Sequence, residues 1–182
     1  MTQYSDEELL ALFRDPEKRN YAYSLLVRQY QERLYFHVRK IVNDHDDAND
    51  VVQNTFIKAW KALDRFREDA KLYTWLYRIA TNESLTFLKK QKAQKKVSMD
   101  DVAHMLSENL ESDQTFDGDD LLRRLHEAVD KLPEKQKLVF NMRYFQEMKY
   151  EEISQILNTS VGGLKASYHH AVKKIEKYIR GD

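Results

Sequence analysis

Apolar residues recur along this chain at three- and four-residue spacing, which predicts helices from end to end and no sheet. Ser5-Asp6-Glu7-Glu8 reads as a capping box ahead of Leu9, Leu10, Leu12 and Phe13, so a first helix starts at about Asp6 and ends before Pro16. A second, longer helical pattern runs through Tyr23, Leu26, Val27, Tyr30, Leu34, Phe36, Val38, Ile41 and Val42 and stops in the polar stretch 43–46. The third, at 46–60, opens on aspartates, which a helix N-terminus favours. It carries Val51, Val52, Thr55, Phe56, Ala59, Trp60 and Leu63 on one side and leaves Asp47, Asp50, Gln53, Asn54 and Lys58 towards solvent. A polar loop at 66–71 then leads into a helix with Leu72, Leu76, Ile79 and Ala80 inward. Tyr73, Thr74, Trp75, Tyr77, Arg78 and Asn82 cannot all share that stripe.

Residues 150–172 (YEEISQILNTSVGGLKASYHHAV) hold a short helix, a polar turn and a second helix, the layout of a helix-turn-helix DNA reader. Ile153, Ile156 and Leu157 form the stripe of the first helix, and Ser160 or Thr159 is the expected N-cap of the second. In the second helix Val161, Leu164, Tyr168, Val172, Ile175 and Ile179 form the apolar stripe. Gly162, Gly163, Lys165, Ala166, His169, His170 and Lys173 stay on the remaining surface, small at the N-terminal end and basic behind it. The same pattern also describes two helices of a bundle with a solvated lysine face.

Composition supports an all-α protein: four glycines, two prolines and many strong helix formers. No apolar run approaches the length of a membrane span and no basic-then-apolar leader opens the chain, so a soluble, unexported, cytoplasmic protein without membrane insertion is expected. The absence of cysteine excludes disulfides and thiolate metal sites.

Thirty basic and thirty acidic residues cancel, but unevenly. Residues 89–96 hold five lysines, whereas 97–120 hold eight acids (Asp100, Asp101, Glu108, Glu111, Asp113, Asp117, Asp119 and Asp120) and no cation. So abrupt a change of sign marks a flexible acidic linker at 93–120 between two small helical domains, 1–92 and 121–182, with room for a short helix at 102–110.

The chemistry on offer is binding. Rings and amides interleaved with Arg78 beside a polar loop, followed by the lysine run, supply stacking faces and phosphate partners for unpaired bases, although Trp75 and Tyr77 fit a protein core equally well. The six histidines have no metal-ligand spacing, and His45 among Asp44, Asp46 and Asp47 reads as a capped loop. No Gly-rich phosphate loop or paired carboxylates in an apolar setting appear, so no enzyme, catalytic residue, cofactor or metal is expected.

Three motifs in order, residues 47–60 (DANDVVQNTFIKAW), 73–82 (YTWLYRIATN) and 132–136 (LPEKQ) ahead of the helix-turn-helix, resemble the extracytoplasmic-function group of the sigma-70 family of bacterial RNA polymerase sigma factors. The resemblance covers about 9–90 and 120–180. It implies a region 2-like domain binding core RNA polymerase through Asp47, Asp50, Gln53, Asn54 and Lys58. Asn49 and Asn54 stand where the family most often has Glu, so that contact should lean less on charge. It further implies that Arg67, Glu68, Asp69, Lys71, Tyr73, Thr74, Trp75, Tyr77, Arg78 and Asn82 read and hold open the −10 element on the non-template strand, with a base flipped into a loop pocket.

A region 4-like domain would read the −35 duplex through Ser160, Gly162, Gly163, Lys165, Ala166, His169, His170 and Lys173. Relatives often carry arginines on that helix. Their replacement here implies an unusual −35 preference, sensitive to histidine charge below about pH 6.5. The resemblance also implies transcription initiation as the role and an anti-sigma factor as a partner. The acidic linker then reads as a nucleic-acid mimic that threads the polymerase. A conventional helix-turn-helix regulator remains the alternative, distinguished by duplex binding without polymerase.

Overall fold

The computed structural model describes residues 4–98 and 120–181 and, among them, contains helices and no strand. The helices are α1 (Asp6–Arg14), α2 (Arg19–Val42), α3 (His45–Ala62), α4 (Leu72–Ser98), α5 (Asp120–Asp130), α6 (Glu134–Phe140), α7 (Tyr150–Leu157) and α8 (Val161–Arg180). They fall into two compact units, one of Met1–Leu88 with Glu151–Thr159, the other of Lys89–Tyr150 with Ser160–Asp182. The acids from Asp100 to Asp119 and the short helix expected at 102–110 lie outside the described residues.

Local signals set the helix ends in the first unit. The Ser5 hydroxyl accepts from the Glu8 amide while the Glu8 carboxylate accepts from the Ser5 amide, the reciprocal pair of a capping box. Asn43 ends α2 in the left-handed conformation at φ 63°, where an asparagine is better tolerated than most residues. Asp44 caps α3, its side chain accepting from the Asp47 amide at 2.9 Å. That hydrogen bond holds the Asp44 carboxyl below the usual carboxylate range.

α2 packs on both α1 and α3. Leu9 and Phe13 of α1, Leu26, Leu34 and Val38 of α2, and Val51 and Ala59 of α3 share the core with Leu72, Leu76 and Ala80 of α4. Each large aliphatic side chain buried there contributes roughly 1.5–3 kcal/mol. Around the core, Phe13, Tyr23 and Trp60 form an aromatic cluster with centroids 4.8–6.2 Å apart, Trp60 meeting both other rings edge-to-face. The Tyr23 hydroxyl donates to the Phe56 carbonyl.

α4 is buried over a wider arc than its aliphatic stripe predicts. Thr74 and Tyr77, expected on the DNA-facing surface, are 3% and 6% exposed, and Ile79, expected inward, is only half-buried. Burial of the polar residues is made possible by bonds inside the helix: the Thr81 hydroxyl donates to the Tyr77 carbonyl at 2.7 Å and the Ser84 hydroxyl to the Ala80 carbonyl at 2.8 Å. With those hydroxyls satisfied, the helix presents Thr74, Tyr77, Thr81 and Ser84 inward as well as Leu72, Leu76 and Ala80.

In the second unit α8 packs on α5 and α6, around Ala128, Val129, Leu132, Phe140, Ala171 and Ile175. Two partners widen its buried arc too, which is why Ala171, outside the expected stripe, is fully buried. A π-helical turn at Asn141–Phe145 follows α6 directly. The Arg124 guanidinium donates to the Ile179 carbonyl at 2.6 Å, meeting one of the otherwise unpaired carbonyls at the C-terminal end of α8 with a cation that suits the helix dipole.

Candidate nucleic-acid interface

Three surfaces gather most of the residues singled out from sequence. On α3, Asp50, Gln53 and Asn54 are exposed and Asp47 is half-buried. Lys58 is exposed but ion-paired with Glu83 of α4, which ties it to the neighbouring helix. Ile57, which sequence reasoning passed over, is 52% exposed. It sits three and four positions from Asn54 and Gln53 and seven from Asp50, so it shares their face.

The second surface is the loop before α4 and the helix face that follows. Arg67, Glu68, Asp69 and Lys71 are all exposed, as are Arg78 and Asn82 further along α4. Glu68 adopts a left-handed backbone, φ 59°, and its carboxylate pairs with Arg14 of α1. Tyr73 and Trp75 are half-buried, with Trp75 against Phe66 at 5.2 Å between centroids. The Lys71 ammonium lies 5.9 Å from the Tyr73 ring centroid. Thr74 and Tyr77 are removed from this surface. Tyr77 packs on His37 at 4.6 Å, its hydroxyl donates to the Arg33 carbonyl, and burial raises its pKa. Of the three rings expected on this surface, Tyr73 and Trp75 stay partly exposed, the Tyr73 hydroxyl donating to the Glu152 carboxylate.

The third surface is the outer face of α8. Ser160 is the N-cap, its hydroxyl accepting from the Gly163 amide at 3.2 Å. Gly162, Lys165, Ala166, His169, His170 and Lys173 are exposed along one side, and Gly163 is half-buried. A Cβ added at Gly162 would meet nothing within 4 Å, so neither space nor backbone conformation demands glycine there.

The tertiary fold brings two further residues to this face. The Arg143 guanidinium lies 5.0 Å from the centroid of the Tyr150 ring and the Lys165 ammonium 5.8 Å from it, so one ring holds a cation from the π-helical turn and another from α8. Arg143 also donates to the Met148 carbonyl at 2.9 Å, and Tyr150 meets Tyr168 edge-on. Only the Arg143–Tyr150–Lys165 spacing in three dimensions reveals this pair of cations; 22 residues of sequence separate them.

Among the described residues no group of His, Asp and Glu is arranged to hold a metal ion, and no helix is long and apolar enough to cross a membrane. His45 is engaged by Tyr35 at Nδ1, 2.7 Å, and by Asn49 at Nε2, 3.1 Å.

The family profile for Sigma-70 region 2 matches residues 26–94, and the profile for Sigma-70, region 4 matches 122–175. Over nearly the whole length, the chain is 30% identical to the RNA polymerase sigma-H factor of Pseudomonas aeruginosa, an alignment of 188 residues covering 99% of this chain and 96% of the relative. The chain belongs to the sigma-70 family. The ECF RNA polymerase sigma-E factor of Escherichia coli K12 is 32% identical to this sigma factor over 169 residues, 87% of each chain, which agrees with the extracytoplasmic-function group. Two solved structures share its fold. The sigma factor RpoE of Bartonella quintana, in complex with the anti-sigma factor NepR, superposes with a TM-score of 0.68 at 21% identity, covering 87% of this chain and 97% of that one. CnrH, in complex with the cytosolic domain of CnrY, superposes at 0.69 and 24%, covering 97% and 98%.

Proposed function

We propose that this sigma factor binds core RNA polymerase through the exposed face of α3, with Asp50, Gln53, Asn54 and Ile57 at the contact and Asp47 and Lys58 at its margin. The loop at 67–71 and the outer face of α4 read the −10 element as single strand: Tyr73 and Trp75 offer ring faces, Arg67, Lys71 and Arg78 meet phosphates, and Glu68, Asp69 and Asn82 bond to base edges. The outer face of α8 reads the −35 duplex. Lys165, Ala166, His169 and His170 face the major groove, the small residues Gly162 and Gly163 admit close approach, and Ser160, Lys173 and Arg143 meet the backbone. The chain works in the cytoplasm as a binding factor, not a catalyst, and an anti-sigma factor holds it inactive, as NepR partners the sigma factor RpoE in one of the solved structures.

The observation that carries this reading is the match of both sigma regions to one chain whose helix faces at 50–57 and 162–173 are exposed. A mixture of the purified chain, bacterial core polymerase and a randomised promoter library tests it. Dependent transcripts enriched for paired −35 and −10 sequences are expected. Tight duplex binding by the chain alone, with no dependent transcript, would favour a conventional regulator instead.

A further inference from the structure

α4 begins without a side chain of its own able to cap it. Lys71 occupies the cap position, its carbonyl accepting from the Trp75 amide at 3.1 Å, and a lysine side chain cannot accept a hydrogen bond. The missing acceptor comes from α1: Asp6 Oδ2 accepts from the Leu72 amide at 2.9 Å, across 66 residues of sequence. The other oxygen, Oδ1, accepts from the Tyr30 hydroxyl at 2.9 Å, so bonds from two elements fix the orientation of one carboxylate. Gln29 secures the same end of α1 by donating to the Tyr4 carbonyl.

The opposite end of α1 touches the same loop. Arg14 pairs with Glu68, the loop residue with a left-handed backbone. Those two side chains are 66% and 44% exposed, so solvent screens their attraction, whereas both Asp6 bonds are part-buried and one of them reaches the amide of the fully buried Leu72. The residues flanking Leu72 are Lys71 and Tyr73, and both line an open cleft with Asp6, Tyr30 and Arg33.

We propose that α1 braces the −10-reading loop at both ends and that Asp6 is its chief positioning residue. It sets where Lys71 and Tyr73 stand without touching DNA. A helix N-terminus in want of an acceptor frays, and fraying here displaces the two residues that flank Leu72 while leaving the α3 face untouched. The inference rests on the proposed reading of the −10 element by this loop.

The test uses holoenzyme reconstituted with full-length chain, a duplex promoter carrying 2-aminopurine in the non-template −10 element, and a separate measurement of affinity for core polymerase. Asp6→Ala is expected to slow opening about tenfold, the scale of one lost helix cap, with core affinity unchanged within about twofold. Asp6→Asn should recover most of the rate, because its amide oxygen still accepts from Leu72. Tyr30→Phe, which keeps the packing and removes one bond to the carboxylate, should fall between wild type and Asp6→Ala. Opening at the wild-type rate in both Asp6→Ala and Tyr30→Phe overturns the brace. So does a parallel fall in core affinity, which would mark general destabilisation. Failure of the wild-type holoenzyme to open the promoter overturns the underlying reading instead.

Discussion

His37 and Thr81 meet at 2.8 Å between α2 and α4, ring Nε2 to hydroxyl oxygen, with each residue only 1% exposed. Thr81 gives its own proton to the Tyr77 carbonyl, so the hydrogen in this bond is carried by His37 Nε2. The bond fixes the turn of α4 that precedes Asn82 against the C-terminal part of α2. Thr81→Val keeps the shape and leaves the His37 N–H without this acceptor. It should cost about 1–3 kcal/mol of stability in denaturant unfolding, and His37→Leu combined with Thr81→Val should recover part of the loss. A fully additive double variant would show that the two side chains are not coupled.

At Gly162 the fold does not require glycine, since an added Cβ meets nothing within 4 Å. Gly162→Ala should therefore stabilise α8 by about 1 kcal/mol, seen as a higher melting temperature. If the first turn of α8 approaches the major groove closely, the same variant loses transcription from a cognate promoter. Higher stability with undiminished transcription would remove Gly162 from the DNA contact.

The two cations on the Tyr150 ring should separate in a salt titration. Arg143→Gln should weaken holoenzyme binding to every promoter similarly and reduce the salt slope by about one, as loss of a phosphate contact does. Lys165→Ala should instead alter which −35 sequences are preferred. A change of sequence preference in Arg143→Gln would place the guanidinium on a base edge.

Ile57 is more than half exposed, so Ile57→Ala should leave thermal stability nearly unchanged or slightly raised. Its affinity for core polymerase should fall about tenfold if the side chain anchors the centre of that contact. Equal affinity by fluorescence anisotropy would confine the interface to the polar residues of α3.

The Asp44 cap predicts a response to acid. Its carboxyl ionises below the ordinary range because the Asp47 amide bonds to the charged form. The stabilisation is therefore present above the unfolded value and is lost as pH falls through the lower folded value. Wild-type helix content should drop more steeply below about pH 4 than that of Asp44→Ser, whose cap does not titrate in this range. Superimposable acid curves from circular dichroism would assign the acid transition to other carboxylates.

Much of the molecule was legible in order of sequence because the forces concerned act over a few residues. The Ser5–Glu8 box, the stop at Asn43 and the Ser160 cap depend on neighbours three or four positions away, and apolar periodicity showed one face of each helix. The motif spacing led to the sigma-70 family and located the exposed faces of α3 and α8. Periodicity could not say how wide a buried arc would be, since that depends on how many helices pack against it. Thr74 and Tyr77 are buried although they lie off the aliphatic stripe, the Tyr77 hydroxyl finding its acceptor in the Arg33 carbonyl of α2, and Ala171 was buried because α8 has two partners. The links from Asp6 to Leu72, from His37 to Thr81 and from Arg143 through Tyr150 to Lys165 were decided by tertiary structure alone, because each joins side chains whose separation along the chain says nothing of their distance in space.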